Sequence, residues 1–178
     1  MTDSGYGTSA SIDGSAPDRA AELVRMLELR PHPEGGFYRE RFRSARAVLG
    51  GEHGDRPRAA LTSIDFLLVG GAHSRWHRVE ADEAWHHHEG APLELLWIDA
   101  ERATLHVVPL GPVDARGTRP SAVVPAGCWQ AARTTGAYSL VGCTVGPGFD
   151  FADFALLDDR PAEAATLRAR FAEVRALG

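Results

Sequence analysis

Apolar and polar residues alternate along many short segments in the middle of this chain, between residues 35 and 154. Thr104-Leu105-His106-Val107 is one example, and a period of two residues indicates a strand with one buried face. Glycine, proline and aspartate separate the segments, and many short strands favour a sandwich or barrel over a doubly wound sheet. The predicted strands cover residues 36–42, 61–69, 74–79, 84–88, 93–99, 104–109, 121–124, 128–133 and 138–144.

A helix is predicted on each side of this region. The first is capped by Ser15 and is expected to end at Arg30, because a proline follows. The second covers residues 161–176 and is expected to be capped by Asp159. Both carry an apolar stripe on one face.

Two segments have few residues to bury. Residues 1–15 are rich in serine, glycine, aspartate and threonine, which predicts a disordered tail. Residues 16–178 then form a single domain. The loop 45–57, with two adjacent glycines and several charges, is interpreted as a mobile flap.

Composition excludes several classes of function. The net charge of −5 argues against nucleic acid as a partner, since phosphate binding needs a concentrated basic face. None of the 19 basic residues is a lysine, which excludes Schiff-base catalysis, pyridoxal phosphate attachment and a Walker-type phosphate site. No apolar run is long enough to cross a membrane and no secretory signal is seen, so a cytoplasmic location is expected. Cys128 and Cys143 are interpreted as buried apolar side chains without a disulfide.

Histidines and carboxylates concentrate between residues 71 and 90. His86, His87 and His88 are consecutive, and because alternate residues of a strand face opposite sides, they cannot form one ligand set. Their role is left open. His77 and Glu83 lie just upstream, and residues of this kind suit a metal site or acid–base chemistry.

The spacing within this stretch is informative. Gly71, His77, Val79, Glu83 and Gly90 follow the spacing of the first cupin motif. The Pro-x-Gly turn of the second motif is found in the segment Pro125-Ala126-Gly127-Cys128-Trp129-Gln130.

Longer segments extend the resemblance over about residues 20–160. The chain closely resembles the branch of the cupin superfamily that is catalogued as a domain of unknown function within the sugar-epimerase-like cupins. The resemblance implies an all-β fold, a double-stranded β-helix or jelly-roll barrel with short terminal helices, a homodimer and a pocket in the barrel. It does not imply a reaction. The segments that carry it are LRPHPEGGFYRE (29–40), TSIDFLL (62–68), WHRVEADEAWHHHEGAPLELL (76–96), VPAGCWQAA (124–132) and VGPGFDFADFALL (145–157).

The resemblance also bears on metal binding. The full cupin metal site uses three histidines and one glutamate, whereas this chain has Val79 and Gln130 in place of two of the histidines. Valine has no lone pair and an amide oxygen is a weak ligand for transition metals. A metal-free pocket is therefore favoured. A divalent transition metal, if present, would use His77, Glu83 and Gln130.

The expected pocket pairs His77, as a base, with Glu83, which orients it. Trp85 and Trp129 are expected to form an aromatic wall, Gln130 to orient a ligand, and Arg39 or Arg78 to hold an anion at the rim. The remaining candidates, with the roles left open for each, are Glu34 as brace of the PHPEGG turn or pocket residue and acid, Tyr38 as acid, Asp65 as pocket or solvent-facing residue, and residues 147–151 as an exit turn with an aromatic plug.

Three functions are compatible with this pocket. The first is a metal-independent isomerase or epimerase acting on a sugar nucleotide or similar polar metabolite. The second is a metabolite-binding module without chemistry. The third, disfavoured by Val79 and Gln130, is a metal-dependent oxygenase or lyase.

Overall fold

The structure, a computed structural model, describes residues 16–49, 56–99, 101 and 103–177. The predicted tail, residues 1–15, and the centre of the predicted flap, residues 50–55, lie outside the described residues. The strands are β1 (Arg30–Pro31), β2 (Phe37–Arg43), β3 (Ala47–Val48), β4 (Arg58–Ala59), β5 (Thr62–Val69), β6 (His77–Arg78), β7 (Asp82–Gly90), β8 (Leu93–Asp99), β9 (Thr104–Leu110), β10 (Ser121–Val124), β11 (Trp129–Thr134), β12 (Tyr138–Gly146) and β13 (Ala155–Leu156). The helices are α1 (Ala16–Met26), α2 (Pro161–Arg170) and α3 (Ala172–Ala176).

The strands form two main antiparallel sheets that enclose a barrel. One sheet has the order β1-β2-β5-β12-β7-β10 and the other β13-β6-β11-β8-β9, while β3 and β4 pair with each other. Successive strands such as β6, β7 and β8 alternate between the two sheets, which is the connectivity of a jelly roll. The predicted all-β barrel with short terminal helices is confirmed.

Side chains alternate between the inside and the outside of the barrel. On β5, Phe66 and Leu68 point inward and pack with Trp85 and with residues of the opposite sheet. Leu67, between them, points outward and packs against Leu23 of α1. Each such side chain contributes about 1.5–3 kcal/mol when it is fully buried. The period of two seen in the sequence therefore builds the core and attaches the first helix.

The first helix is shorter than predicted. It ends at Met26 instead of Arg30, because Glu28 adopts a left-handed backbone with φ of 50°. The N–H of Leu29 then bonds to the carbonyl oxygen of Val24 at 2.9 Å, a pattern that closes helices. The turn frees the next residues to pair with β2.

The predicted C-terminal helix, residues 161–176, is interrupted at Phe171, whose backbone is extended (φ −120°, ψ 122°). Asp159 does not cap it, since Arg160 occupies the N-cap position without a side-chain hydrogen bond. α2 and α3 still cover the outer face of the five-stranded sheet. The apolar residues that they and the chain end bury there are Ala164, Leu167, Val174 and Leu177.

The predicted strands agree with the structure to within two residues at each end, with one exception. Of the predicted segment 74–79, only His77–Arg78 forms a strand. No described helix has both the length and the apolar character that a membrane-spanning helix needs.

Gly36 offers a test of the packing between the N-terminal turn and β5. A Cβ atom at Gly36 (φ +69°) would lie 2.7 Å from the backbone oxygen of Leu67, whereas one at Gly71 (φ +78°) would meet nothing within 4 Å. We expect Gly71→Ala to lower the free energy of unfolding by about 1–2 kcal/mol through backbone strain alone. Gly36→Ala adds an overpacking cost of about 1–3 kcal/mol. Urea denaturation of both variants measures the difference, and equal losses would contradict the close contact.

Candidate functional site

A cavity of about 430 Å³ opens at one end of the barrel. This is within the range of small-molecule sites. Its titratable wall residues include His32, Glu34, His77 and Glu83. Its aromatic residues are Tyr38, Phe149, Phe151 and Phe154, and its arginines are Arg30 and Arg43.

His77 and Glu34 form a buried pair on the cavity wall. Nδ1 of His77 lies 2.8 Å from the carbonyl oxygen of Arg75, and Nε2 lies 3.2 Å from Oε2 of Glu34. Burial lowers the pKa of His77 to about 4, and burial followed by the charge of Glu83 raises the pKa of Glu34 well above its ordinary value. Burial of both groups therefore favours the neutral pair, in which the hydroxyl of Glu34 donates to Nε2 of His77.

The PHPEGG turn brings Glu34 into the cavity. The N–H of His32 bonds to the carbonyl oxygen of Gly36 at 3.1 Å, and the N–H of Gly35 bonds to the carbonyl oxygen of His32 at 3.0 Å. Gly35 has φ of +106°, and a Cβ atom there would lie 2.9 Å from the carbonyl oxygen of His73. The segment is thus a tight turn, as predicted, and it also contributes His32 and Glu34 to the wall.

Glu83 is held from behind by a chain of hydrogen bonds. Nε2 of Gln130 donates to Oε2 of Glu83 at 2.6 Å, and Nε1 of Trp85 donates to Oε1 of Gln130 at 3.1 Å. Burial raises the pKa of Glu83 to about 7, against the opposing effect of hydrogen bonds from Gln130 and Cys143. Gln130 and Trp85 therefore fix a carboxyl group whose ionisation falls near neutral pH.

The expected pairing of His77 with Glu83 is wrong, because the two side chains have different partners. Nε2 of His77 contacts Glu34, whereas Glu83 contacts Gln130. The sequence motif identified the strand pair but not the partner, because Glu34 comes from a different part of the chain.

Neither tryptophan expected in the aromatic wall lines the cavity, and neither does Arg39, which was expected at its rim. Trp85 is buried in the core of the barrel, whereas Trp129 and Arg39 lie outside the barrel. Trp129 packs beneath the C-terminal helices, where its Nε1 donates to Glu163 at 2.6 Å and Arg78 lies over its ring at 4.7 Å. Arg39 pairs with Glu28 at 3.0 Å on the surface. Each follows or precedes an inward-facing residue by one position, so strand alternation turns it outward.

Other residues replace them at the cavity. The aromatic wall comes from Phe149, Phe151 and Phe154, in and next to the segment interpreted as an exit turn with an aromatic plug. Tyr38 lines the cavity and meets the ring of His32 edge-on at 4.4 Å. His32 was not among the predicted site residues, although it stands two residues before Glu34 in the same turn.

Asp65 and the triple histidine are not part of the cavity wall. Oδ2 of Asp65 accepts a hydrogen bond from Nε of Arg41 at 2.5 Å. His86 and His88 are exposed, and Nε2 of His87 lies 3.1 Å from the carbonyl oxygen of Ala91. These contacts account for Asp65 and His87, and His86 and His88 lie at the surface.

The residues expected to hold a metal do not form a metal site in this structure. Val79 presents hydrocarbon to the cavity, and the amide of Gln130 is occupied by Glu83 and Trp85. Within the described ranges, no group of three or more histidine, cysteine, aspartate or glutamate side chains is arranged to hold an ion. The set His77, Glu83 and Gln130 therefore lacks the converging donors that a transition metal needs.

Known proteins resemble this chain in sequence and in fold. The family model described as "Cupin superfamily (DUF985)" matches residues 21–157. The chain belongs to this cupin family. The structure of a protein from Shewanella oneidensis is 38% identical with a TM-score of 0.78, and covers 89% of this chain and 96% of its own. A hypothetical protein from Leishmania major is 36% identical with a TM-score of 0.70, and covers 76% of this chain and 85% of its own.

More distant similarity concerns the fold alone. Oxalate decarboxylase from Lactobacillus farciminis is 17% identical with a TM-score of 0.54, and the match covers 75% of this cupin but only 35% of the decarboxylase chain. No curated protein matches the chain. Fold does not determine reaction, so the chemistry of this cupin has to be argued from its cavity.

The buried Glu83 predicts a specific pH dependence of stability. Because the folded-state pKa of about 7 lies above the ordinary 4.5, the protonated form is favoured in the fold. Protonated Glu83 therefore stabilises the folded state fully below pH 4.5, and this stabilisation is lost as the pH rises through about 7. Glu83→Gln removes this loss, so the variant gains stability relative to the parent protein by about 3 kcal/mol across this range.

Urea denaturation of both proteins between pH 4.5 and 8 measures this difference. The contributions of His32 and His77 are common to both and cancel in it. A difference that does not change with pH would contradict the raised pKa of Glu83.

Proposed function

We propose that this cupin is a metal-independent acid–base enzyme of the isomerase or epimerase class. Its substrate would be a small polar metabolite, such as a sugar nucleotide, with a proton on the carbon next to a carbonyl group. The observation that carries the proposal is that two buried carboxyl groups with different proton affinities, Glu34 and Glu83, line one cavity. Pairs of titratable groups whose pKa values are pushed apart are a recurrent basis for assigning acid and base roles.

Glu83 is the base in this proposal. With a pKa of about 7, a large fraction is ionised at neutral pH, and the carboxylate still has a high affinity for a proton. General bases work best when their pKa lies near the operating pH. Glu83 takes the proton of the substrate C–H bond, and the electron pair of that bond moves to the carbonyl group and forms an enolate.

Glu34 and His77 provide the acid. The raised pKa of Glu34 favours its protonated form, and His77 accepts the hydrogen bond of that hydroxyl through Nε2. Glu34 gives its proton to carbon on the return step. Glu83 then releases the proton that it took, and Glu34 regains one from solvent before the next cycle. This assignment moves the base from His77 to Glu83 and gives His77 the role of positioning Glu34.

The walls favour a substrate with an anionic group and a flat surface. Arg30 lies over the ring of Tyr38 at 5.4 Å, and no described carboxylate lies within 4.0 Å of its guanidinium group. A phosphate or carboxylate group of the substrate is a suitable partner for it. Phe151, 55% exposed, offers a surface on which a ring can stack.

The size of the cavity limits the part of a substrate that is enclosed. A volume of 430 Å³ corresponds to roughly 14 water molecules at about 30 Å³ each. A sugar ring with one anionic group is of this size. The base of a sugar nucleotide would extend through the mouth towards Phe151.

The homodimer implied by the family resemblance remains a prediction. Light scattering in solution tests it directly.

Deuterium exchange tests the proposed reaction. The purified protein is incubated in D₂O with ketose phosphates, hexose phosphates and 4-keto sugar nucleotides, and mass spectrometry detects deuterium on carbon. We expect exchange with at least one of these classes, and a rate that increases with pH through about 7 as Glu83 ionises.

Glu83→Gln is the decisive variant and His86→Gln its control, because His86 is exposed on the outer face of the same strand. We expect Glu83→Gln to lower the exchange rate by about 10²–10⁴-fold and His86→Gln to leave it unchanged. Saturable binding of a compound by the parent protein, with no exchange and no product, would overturn catalysis and favour a binding module.

A further inference from the structure

His32 and His77 flank the carboxyl group of Glu34 but are held in opposite ways. Nδ1 of His77 faces a hydrogen-bond acceptor, the carbonyl oxygen of Arg75, at 2.8 Å. Nδ1 of His32 faces a donor, the backbone N–H of Glu34, at 3.3 Å. A second contact places Nδ1 of His32 3.6 Å from Oε2 of Glu34.

These partners determine the tautomer of each neutral ring. A nitrogen that accepts a hydrogen bond carries no proton, and the other nitrogen of a neutral imidazole then carries it. His77 therefore has its proton on Nδ1, and His32 has its proton on Nε2. Burial, followed by the charge of His77, lowers the pKa of His32 to about 4, which is consistent with a neutral ring at physiological pH.

The Nε2–H group of His32 is free to bond to a ligand. Nothing in the described part of the chain accepts a hydrogen bond from it. Within the same ranges, the buried side-chain nitrogen or oxygen atoms without a partner are Nε1 of Trp76 and Nε of Arg78. Nε2 of His32 is not among them, so this atom is not fully buried. His32 lines the cavity, and Tyr38 meets its ring edge-on at 4.4 Å. His32 thus brings to the cavity wall a ring donor that has no acceptor in the described protein.

We propose that His32 is a further catalytic residue, which donates a hydrogen bond from Nε2 to the carbonyl oxygen of the substrate. The inference rests on the proposed proton transfer and adds the group that stabilises the enolate. A neutral imidazole is suited to this task, because it stabilises the developing negative charge as a donor without giving up its proton.

The inference narrows the substrate class. The donor of His32 requires an acceptor oxygen on the substrate, and Glu83 requires an acidic C–H bond beside it. An α-hydroxy aldehyde or ketone, free or as the keto form of a sugar, meets both requirements. A substrate without a carbonyl or equivalent acceptor oxygen does not.

Two substitutions of His32 distinguish the roles of its two ring nitrogens. The amide nitrogen of glutamine reaches the position of Nε2, whereas the side chain of asparagine reaches only the position of Nδ1. We expect His32→Gln to retain exchange within about tenfold of the parent protein, and His32→Asn to lose about 10²–10³-fold, the cost of one donor to an oxyanion. Equal losses in the two variants would overturn the donor role.

The tautomers are measured directly by ¹⁵N NMR of the labelled parent protein at pH 7, without any ligand. Loss of cross-peaks in His32→Gln and His77→Gln assigns the signals. We expect a pyridine-type Nδ1 and a pyrrole-type Nε2 for His32, and the reverse for His77. Two pyrrole-type nitrogens on His32, or a proton on its Nδ1, would overturn the inference even if exchange is observed.

The exchange assay and the NMR measurement together distinguish failure of this inference from failure of the proposed function. If the tautomers are as expected but the parent protein exchanges no proton of dihydroxyacetone phosphate, glyceraldehyde 3-phosphate or a 4-keto sugar nucleotide, the proton-transfer function and the catalytic role of His32 both fall. If exchange occurs and His32→Asn matches the parent protein, only the role of His32 falls.

Discussion

A carboxyl group and an imidazole share one proton inside an apolar barrel, and much of the site depends on that contact. Nε2 of His77 and Oε2 of Glu34 are 3.2 Å apart, with both side chains almost completely buried. Burial penalises the charged forms of both, so the pair is held as neutral acid and neutral base. A backbone hydrogen bond of 2.6 Å from Arg75 to Glu34 ties the turn that carries Glu34 to the segment that carries His77.

The same constraint assigns different roles to the two carboxyl groups. Burial beside a neutral ring favours the protonated form of Glu34, whereas Glu83 receives a hydrogen bond from Gln130, which favours its ionised form and limits the rise in its pKa. Gln130 is therefore best understood as part of the support of Glu83. The amide that stands where many cupins have a metal-binding histidine here serves a carboxyl group instead.

The sequence predicted the barrel well because strand alternation is encoded locally. The inward and outward faces of β5 follow directly from the positions of Phe66 and Leu67. Applied strictly, the same alternation rule separates Gln130 from Trp129 and Tyr38 from Arg39. Trp129, expected in the aromatic wall, and Arg39, expected at the rim, therefore face away from the cavity.

Other features of the site required the three-dimensional structure. The contact between Glu34 and His77 joins residues 43 positions apart through a turn whose path depends on the close approach of Gly35 to His73. The left-handed Glu28 that ends α1 has no sequence signal, since glycine or asparagine is usual there. The position of Phe154 over the ring of His77 at 5.7 Å likewise arises from tertiary packing.

The most direct test of this account is a ¹³C NMR titration of the glutamate side-chain carboxyl groups, with Glu34→Gln and Glu83→Gln used for assignment. The account predicts that the signal of Glu34 remains that of a protonated carboxyl group at pH 7, while the signal of Glu83 titrates near pH 7. If both groups are fully ionised at pH 5, the cavity does not hold an acid and a base of different strength, and the proposed division of roles is contradicted.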